Sequence, residues 1–178
     1  RTVEHFLAAC TGMGIDNLRV NISQDELPIL DGSSLPFMLK FANAKLKQSA
    51  PKRYFLLRRK LKVEDGVSFI KVAPASRIGI DCVIEYEHPW FRKHMQALKC
   101  QMDMDLTSFE NIGIARTFGF LSDVVALRGN GLALGGGLDN AIVLDDVKIL
   151  NKGGLSQSNE FVMHKALDAI GDLHLLGN

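Results

Sequence analysis

Apolar positions recur at helical spacing at both ends of this chain and alternate with polar ones through its middle. Projected at about 100° per residue, residues 161–176 spread Val162, Met163, Ala166, Leu167, Ala169, Ile170, Leu173 and Leu176 over most of a helix surface. One narrow polar stripe remains, made of His164, Asp168, Asp172 and, at its edge, Lys165, with Phe161 and Leu175 closing it above and below. Residues 2–13 predict a second helix, with Thr2 as N-cap and His5 near the position where a capping box places a glutamate. Residues 18–22 alternate as a strand and 27–30 form a short apolar run. Asp31-Gly32-Ser33-Ser34 then turns into a helix over 36–46. The polar stretch 47–53 is the one convincing linker, so a domain boundary falls near residue 50. Beyond it, 54–63, 67–72 and 78–86 alternate, with turn signals at Glu64-Asp65-Gly66 and Pro74, which predicts a meander of antiparallel strands. A further strand is expected near 97–103 and a short helix over 106–112. The fold class is α+β.

A solvated helix face is normally broad and mixes Lys with Glu, whereas the stripe on 161–176 is narrow and rich in metal-ligating side chains. His164 and Asp168 are four apart, so they stack on one face with roughly 5–6 Å between Cβ atoms. They read either as a hydrogen-bonded pair or as two ligands of a divalent ion. A catalytic Zn²⁺ site takes three protein ligands and keeps a position open. Glu4-His5 supplies the third ligand in His5 and, in Glu4, a base for a water. Val3-x-His5 with Gly12 seven residues on reappears as Val162-x-His164 with Gly171 at the same offset. Two copies of one α+β unit facing each other would bring these histidines together at their interface, where ligand sites tend to lie.

The 178 residues, 47% hydrophobic with a mean hydropathy of +0.07, can bury one sizeable core or two small ones. A formal net charge of +1 fits neither a polyanion binder nor an acidic tail, so nucleic acid is not expected as a partner. Cys10, Cys82 and Cys100 are odd in number, widely spaced and set among apolar neighbours; they read as reduced core residues, and a cytoplasmic location is expected. No run of 18 apolar residues and no signal peptide is present, so no transmembrane segment is expected. The chain opens on Arg1 in mid-motif and stops at Asn178 directly after a helix, which suggests a fragment. The cluster Arg53, Arg58, Arg59, Lys60 and Lys62 suits either phosphate binding or a charged edge strand that discourages aggregation.

The segment 115–146 is dense in signals. Gly135-Gly136-Gly137 lacks the following Lys-Ser/Thr of a phosphate loop and the spacing of a dinucleotide fingerprint. Glycines beside Leu, Ile and Val instead suggest close backbone approach and a narrow apolar passage suited to an acyl chain. Thr117 offers a hydroxyl in an otherwise aromatic loop, either for chemistry or for an ordinary turn.

In order and spacing, TVEH, DGSSLPF, HPWF, ARTFGF, LALGGGLDNAIV, the LDD that follows and HKALDAIGDL resemble the UDP-3-O-acyl-N-acetylglucosamine deacetylases, zinc amidases of lipid A biosynthesis. The resemblance covers essentially the whole chain. It implies two similar α+β domains, each a sheet layered with helices, with the active site between them. Residues 1–50 would be a remnant of the first domain, and 51–178 the second, with an apolar insert near 123–143. It implies His5, His164 and Asp168 as ligands of Zn²⁺ and Glu4 as the base. Thr117 would polarise the acetamide carbonyl or hold the oxyanion. Lys165, Tyr86 and Phe118 would face the UDP-3-O-acyl-N-acetylglucosamine substrate, with Tyr86 against the uracil ring. Asp172 would orient a catalytic histidine that the family carries in a Ser-Gly-His segment about a strand further on, beyond residue 178. His174 does not fit that segment, Gly137 stands where a serine is expected, and His88 and His94 match no ligand position. A monomer is expected. Two rivals remain: a zinc amidase acting on another N-acetyl sugar, and a non-catalytic α+β module that binds nucleotides or RNA through the basic cluster.

Overall fold

A computed structural model describes residues 1–44, 46–94, 98–103 and 106–177. Its helices and short strands mix in an α+β arrangement. Helix α1 (Glu4–Met13) is followed by α2 (Leu35–Ala44), the strands β1 (Leu61–Asp65), β2 (Ser68–Val72) and β3 (Gly79–Ile84), and the short helix α3 (Pro89–His94). The second half holds β4 (Leu98–Asp103), α4 (Leu106–Gly113), β5 (Phe118–Phe120), α5 (Leu121–Gly129), β6 (Ile142–Leu144) and α6 (Glu160–His174). Residue 45 of the predicted 36–46 helix and residue 97 of the predicted 97–103 strand lie outside the described residues.

Helix α1 ends as its sequence allows. Gly14 takes a left-handed conformation at φ 64°, and the N–H of Ile15 reaches back to the carbonyl of Cys10 at 2.9 Å, so the last turn closes on itself. Its start differs from expectation. The N-cap is Val3, with no side-chain cap, because the Thr2 hydroxyl turns away to the Glu26 carboxylate, and the Leu27 N–H donates to the Arg1 carbonyl at 3.2 Å. Those contacts hold residues 26 and 27 across the head of α1. The Asp31-Gly32-Ser33-Ser34 turn forms as predicted: Asp31 Oδ1 accepts from the Ser33 N–H at 2.9 Å and hydroxyl at 2.8 Å, and the Ser33 hydroxyl accepts from the Leu35 N–H at 3.2 Å to open α2.

The predicted meander is broken into separate ribbons. β1 pairs with β2 and β3 with β4, both antiparallel, while β2 and β3 do not join. Residues 18–22 and 54–60 alternate as strands do, yet they have no ladder partner among the described residues and expose Leu18, Val20, Ile22, Tyr54, Phe55 and Leu56. A lone alternating segment gains nothing from extension unless a neighbour satisfies its backbone. β5 and β6, which the hydrophobic pattern does not foreshadow, run parallel from Phe118↔Ile142 to Phe120↔Leu144.

Helix α6 is the spine. One core packs its Val162, Met163, Ala166, Leu167 and Ile170 against Ala8 and Ala9 of α1, Phe37 and Met38 of α2, Phe109 and Ile112 of α4, and Cys100 of β4. A second cluster joins Phe161 to Trp90, Phe91, Ile142 and Leu144. α1 meets α6 most closely where a Cβ on Gly171 would lie 2.0 Å from the Glu4 carbonyl oxygen, so only glycine permits this crossing. The triple glycine behaves otherwise than expected. Gly135, Gly136 and Gly137 make no close approach to a remote backbone. They form a turn in which the Asn140 amide donates to the Gly135 carbonyl at 2.9 Å and its oxygen accepts from the Gly137 N–H at 2.8 Å. Val125, Leu132, Leu134 and Leu138 of the insert are exposed rather than lining a closed passage. Among the described residues no helix is long and apolar enough to cross a membrane.

Candidate metal centre

The Gly171–Glu4 crossing sets the second residue of α1 beside the second turn of α6. His5 and His164 therefore meet edge to face, with ring centroids 4.8 Å apart. Nε2 of His164 and Nε2 of His5 lie 3.3 and 3.5 Å from one oxygen, Oδ1 of Asp168. One donor atom from each of the three residues falls within 4.8 Å of the others. His5 and His164 are buried.

Each ligand is oriented by a contact on its far side. The buried Ser34 hydroxyl donates to the His5 carbonyl at 2.6 Å, fixing the turn of α1 that carries the ring. His164 Nδ1–H donates to the Ala115 carbonyl at 2.9 Å, which leaves Nε2 as a lone pair directed at the cluster. Burial, against a smaller opposing pull from Asp168, holds His164 down to about 4, so it is neutral at neutral pH. Burial pushes the Asp168 carboxyl up, but His5, His164 and Lys165 together outweigh it and hold the group at about 2. Lys165 Nζ donates to Asp168 Oδ2 at 2.9 Å, leaving Oδ1 to the histidines.

Three buried atoms here have no hydrogen-bond partner: His5 Nδ1, His164 Nε2 and Asp168 Oδ1. Buried polar atoms are nearly always satisfied, so two of these converging, a neutral imidazole lone pair facing an ionised carboxylate oxygen, form a cluster whose chemistry fits a cation. Two imidazoles and one carboxylate are a donor set that suits Zn²⁺.

Glu4, Asp172, Lys165, Phe118 and Tyr86 lie around this centre. Glu4 and Asp172 share the α1–α6 crossing; burial, then the charges of Glu4 and Asp168, raise the Asp172 carboxyl above its ordinary value. Lys165 Nζ sits 5.4 Å from the centre of the Phe118 ring, and the Phe118 and Tyr86 rings pack edge to face at 5.7 Å. Thr117 is fixed by its backbone, its N–H donating to the Gly32 carbonyl at 2.7 Å and its carbonyl accepting from Ile142 N–H at 2.8 Å. The remaining histidines stand apart. His88 stacks on Phe120 at 4.2 Å, His94 stacks on Trp90 at 4.7 Å, and His174 Nδ1 is 2.9 Å from the Thr11 hydroxyl.

One pair goes unrecognised from the sequence. Glu160 is fully buried and bonds Arg116 through Nε at 2.8 Å, Nη2 at 3.1 Å and backbone N–H at 3.1 Å, with Ser156 N–H adding a bond of 2.6 Å. The carbonyl of Ala115 and the N–H of Arg116 belong to one peptide unit. Its two ends are thus gripped by His164 and Glu160, four apart on α6. That i,i+4 spacing was the available signal.

These features define an α+β protein in which His5, His164 and Asp168 bring three potential metal donors together, flanked by a carboxylate, a lysine and an aromatic wall. The chain belongs to the family LpxC, UDP-3-O-acyl N-acetylglycosamine deacetylase, whose sequence model matches residues 1–178. It is similar to the UDP-3-O-acyl-N-acetylglucosamine deacetylase of Coxiella burnetii (strain Dugway 5J108-111), at 46% identity over 178 residues, covering 99% of this chain and 58% of that protein. The deacetylases of that name from Methylococcus capsulatus and Acidithiobacillus ferrooxidans are 46% and 45% identical over 179 residues, again covering 99% of this chain and 58% of each relative. The chain therefore spans less than two thirds of the length of these relatives.

Proposed function

We propose that this chain carries the metal centre and much of the substrate site of a zinc-dependent deacetylase. The enzyme removes the N-acetyl group of UDP-3-O-(3-hydroxyacyl)-N-acetylglucosamine by hydrolysis, the committed step of lipid A biosynthesis. The observation that carries this reading is the convergence of His5, His164 and Asp168, with the buried, unpartnered His164 Nε2 facing Asp168 Oδ1, in a chain 46% identical to deacetylases of that substrate. His5, His164 and Asp168 would hold Zn²⁺, which supplies a Lewis acid for the acetamide carbonyl and lowers the pKa of a water.

The protein groups do the rest. Glu4, adjacent to His5, accepts the proton of the attacking water. Thr117 donates to the carbonyl oxygen as negative charge grows on it, and Lys165 faces the substrate. Asp172, at the crossing with Glu4, orients the histidine that protonates the departing amine. Tyr86 and Phe118 form the wall against the nucleotide-sugar, with Tyr86 toward the uracil, and the exposed leucines of 123–143 meet the acyl chain. In this reading 1–50 belongs to a first α+β domain and 51–178 to a second, similar one. The zinc lies between them, in a cytoplasmic monomer.

Elemental analysis of the intact enzyme tests the centre. His164→Ala and Asp168→Ala should abolish stoichiometric zinc, since two protein ligands seldom retain the ion, whereas Asp172→Ala should keep it. Full zinc in His164→Ala overturns the ligand set. Release of free amine from a panel of N-acetyl sugars, with and without UDP and the 3-O-acyl chain, then tests the substrate.

A further inference from the structure

Cys82 and Cys100 are eighteen positions apart in the chain, yet they are direct partners in the β3–β4 ladder. Facing residues of an antiparallel pair have Cα atoms about 4.5–5.5 Å apart, inside the roughly 4.4–6.8 Å that a disulfide spans. Both side chains lie on the inner face of the ribbon. Cys100 is buried within the core that α6 packs upon, and half-buried Cys82 packs against the same core. A hydrogen bond between the two thiols lowers the pKa of Cys82 and raises that of Cys100. The Lys165 ammonium adds a pull in the same direction at Cys82. Cys10, on α1, has no such partner; burial pushes its thiol up to about 11.

Two cysteines serving only as small core residues need not face one another, because sulfur packs as well against Ile80 or Ile84 on the same face. Here the two thiols differ in the way that dithiol exchange requires. Cys82 is half-buried, the more exposed of the two, and Cys100 is buried beside it across the ladder, positioned to resolve.

We propose that Cys82 and Cys100 form a dithiol site that exchanges with small-molecule disulfides, Cys82 entering and Cys100 resolving, to close a disulfide across the β3–β4 ribbon behind α6. In the first step Cys82 thiolate attacks one sulfur of the small disulfide, forms a mixed disulfide and expels one thiolate, which takes up the proton Cys82 gave. Cys100 then attacks the Cys82 sulfur, loses its own proton and expels the second small thiol. The two protein thiols are oxidised, the small disulfide is reduced to two thiols, and no other reactant is needed.

The test is incubation of the native chain with oxidised glutathione, alkylation of the remaining thiols, and peptide mass mapping. Wild type should lose two of its three thiols, yield a Cys82–Cys100 cross-linked peptide lighter by two hydrogens, keep Cys10 alkylatable after unfolding, and revert with dithiothreitol. Cys100→Ser should stop at a glutathione adduct on Cys82, and Cys82→Ser should form neither adduct nor cross-link. Three wild-type results each overturn the proposal: three free thiols after treatment, a lasting glutathione adduct without a cross-link, or a cross-link through Cys10. These wild-type outcomes decide the matter even if one of the variants fails to fold.

Discussion

Replacing Arg116 by Met should destabilise the fold far more than the loss of an ordinary ion pair. In the native protein the Glu160 side chain is 0% exposed and that of Arg116 23%, so the charges meet largely out of water. The substitution deletes the Nε and Nη2 bonds at 2.8 and 3.1 Å and leaves an ionised carboxylate facing only the backbone N–H groups of Arg116 and Ser156. Removing one partner of a buried pair costs about 3–5 kcal/mol, against about 0–1 kcal/mol for a surface pair. The pH dependence gives a second, independent signature. Burial pushes the Glu160 carboxyl up, but Arg116 and the two N–H groups outweigh it and hold it below its ordinary value. The wild-type pair therefore stabilises fully above the unfolded value of about 4.3 and fades as pH falls through the native one. Without Arg116, burial raises the group instead and the sign reverses. The deficit of Arg116→Met should be largest at neutral pH and shrink on acidification, as Glu160 takes up a proton. Urea unfolding from pH 7 down to pH 4.5 reads both effects, provided the slope with denaturant stays constant. A loss under 1 kcal/mol that is the same at every pH would refute the reasoning. The backbone N–H of residue 116 keeps its bond to Glu160 in this variant, so the Ala115 carbonyl that orients His164 should stay in place and zinc affinity should fall by less than the roughly 10–100-fold of a lost outer contact.

Gly171→Ala would place a methyl 2.0 Å from the Glu4 carbonyl, forcing α1 and α6 apart; overpacking of this kind costs about 1–3 kcal/mol, and the variant should also bind less zinc, read by chelator competition. Wild-type affinity there would show that the crossing does not set the site. Glu4→Gln in the intact enzyme should keep its zinc and lose turnover by about 10²–10⁴-fold, and near-normal turnover would mean another group is the base. Asn151 accepts from Val143 N–H at 2.9 Å and donates to Leu138 and Ala141 carbonyls at 2.9 and 2.8 Å. Asn151→Ala should therefore cost about 2–3 kcal/mol in urea unfolding.

The residues of the candidate centre were legible because their spacing is local. His164 and Asp168 share a helix face by the geometry of 3.6 residues per turn, and Glu4-His5 sits at the start of an equally periodic helix. Helices α1, α2, α4 and α6 and the Asp31–Ser34 turn followed for the same reason: each is specified by contacts within a few residues. What differed from expectation needed a distant partner. Residues 18–22 and 54–60 carry strand alternation without a ladder among the described residues, β5 and β6 find each other across more than twenty residues, and the expected meander separates into ribbons. Cysteines widely spaced along the chain face one another in the fold. Glu160 and Arg116 are inconspicuous in the sequence, since nothing local says that a charge at residue 160 will be buried against one at 116. Local pattern was enough to specify which side chains could bind a cation. That they meet is a tertiary outcome: the crossing at Gly171 brings α1 onto α6, and the grip of His164 and Glu160 on one peptide unit fixes the direction of the ring. Helical periodicity is written in neighbouring residues, but approach between segments depends on packing, which only the folded chain settles.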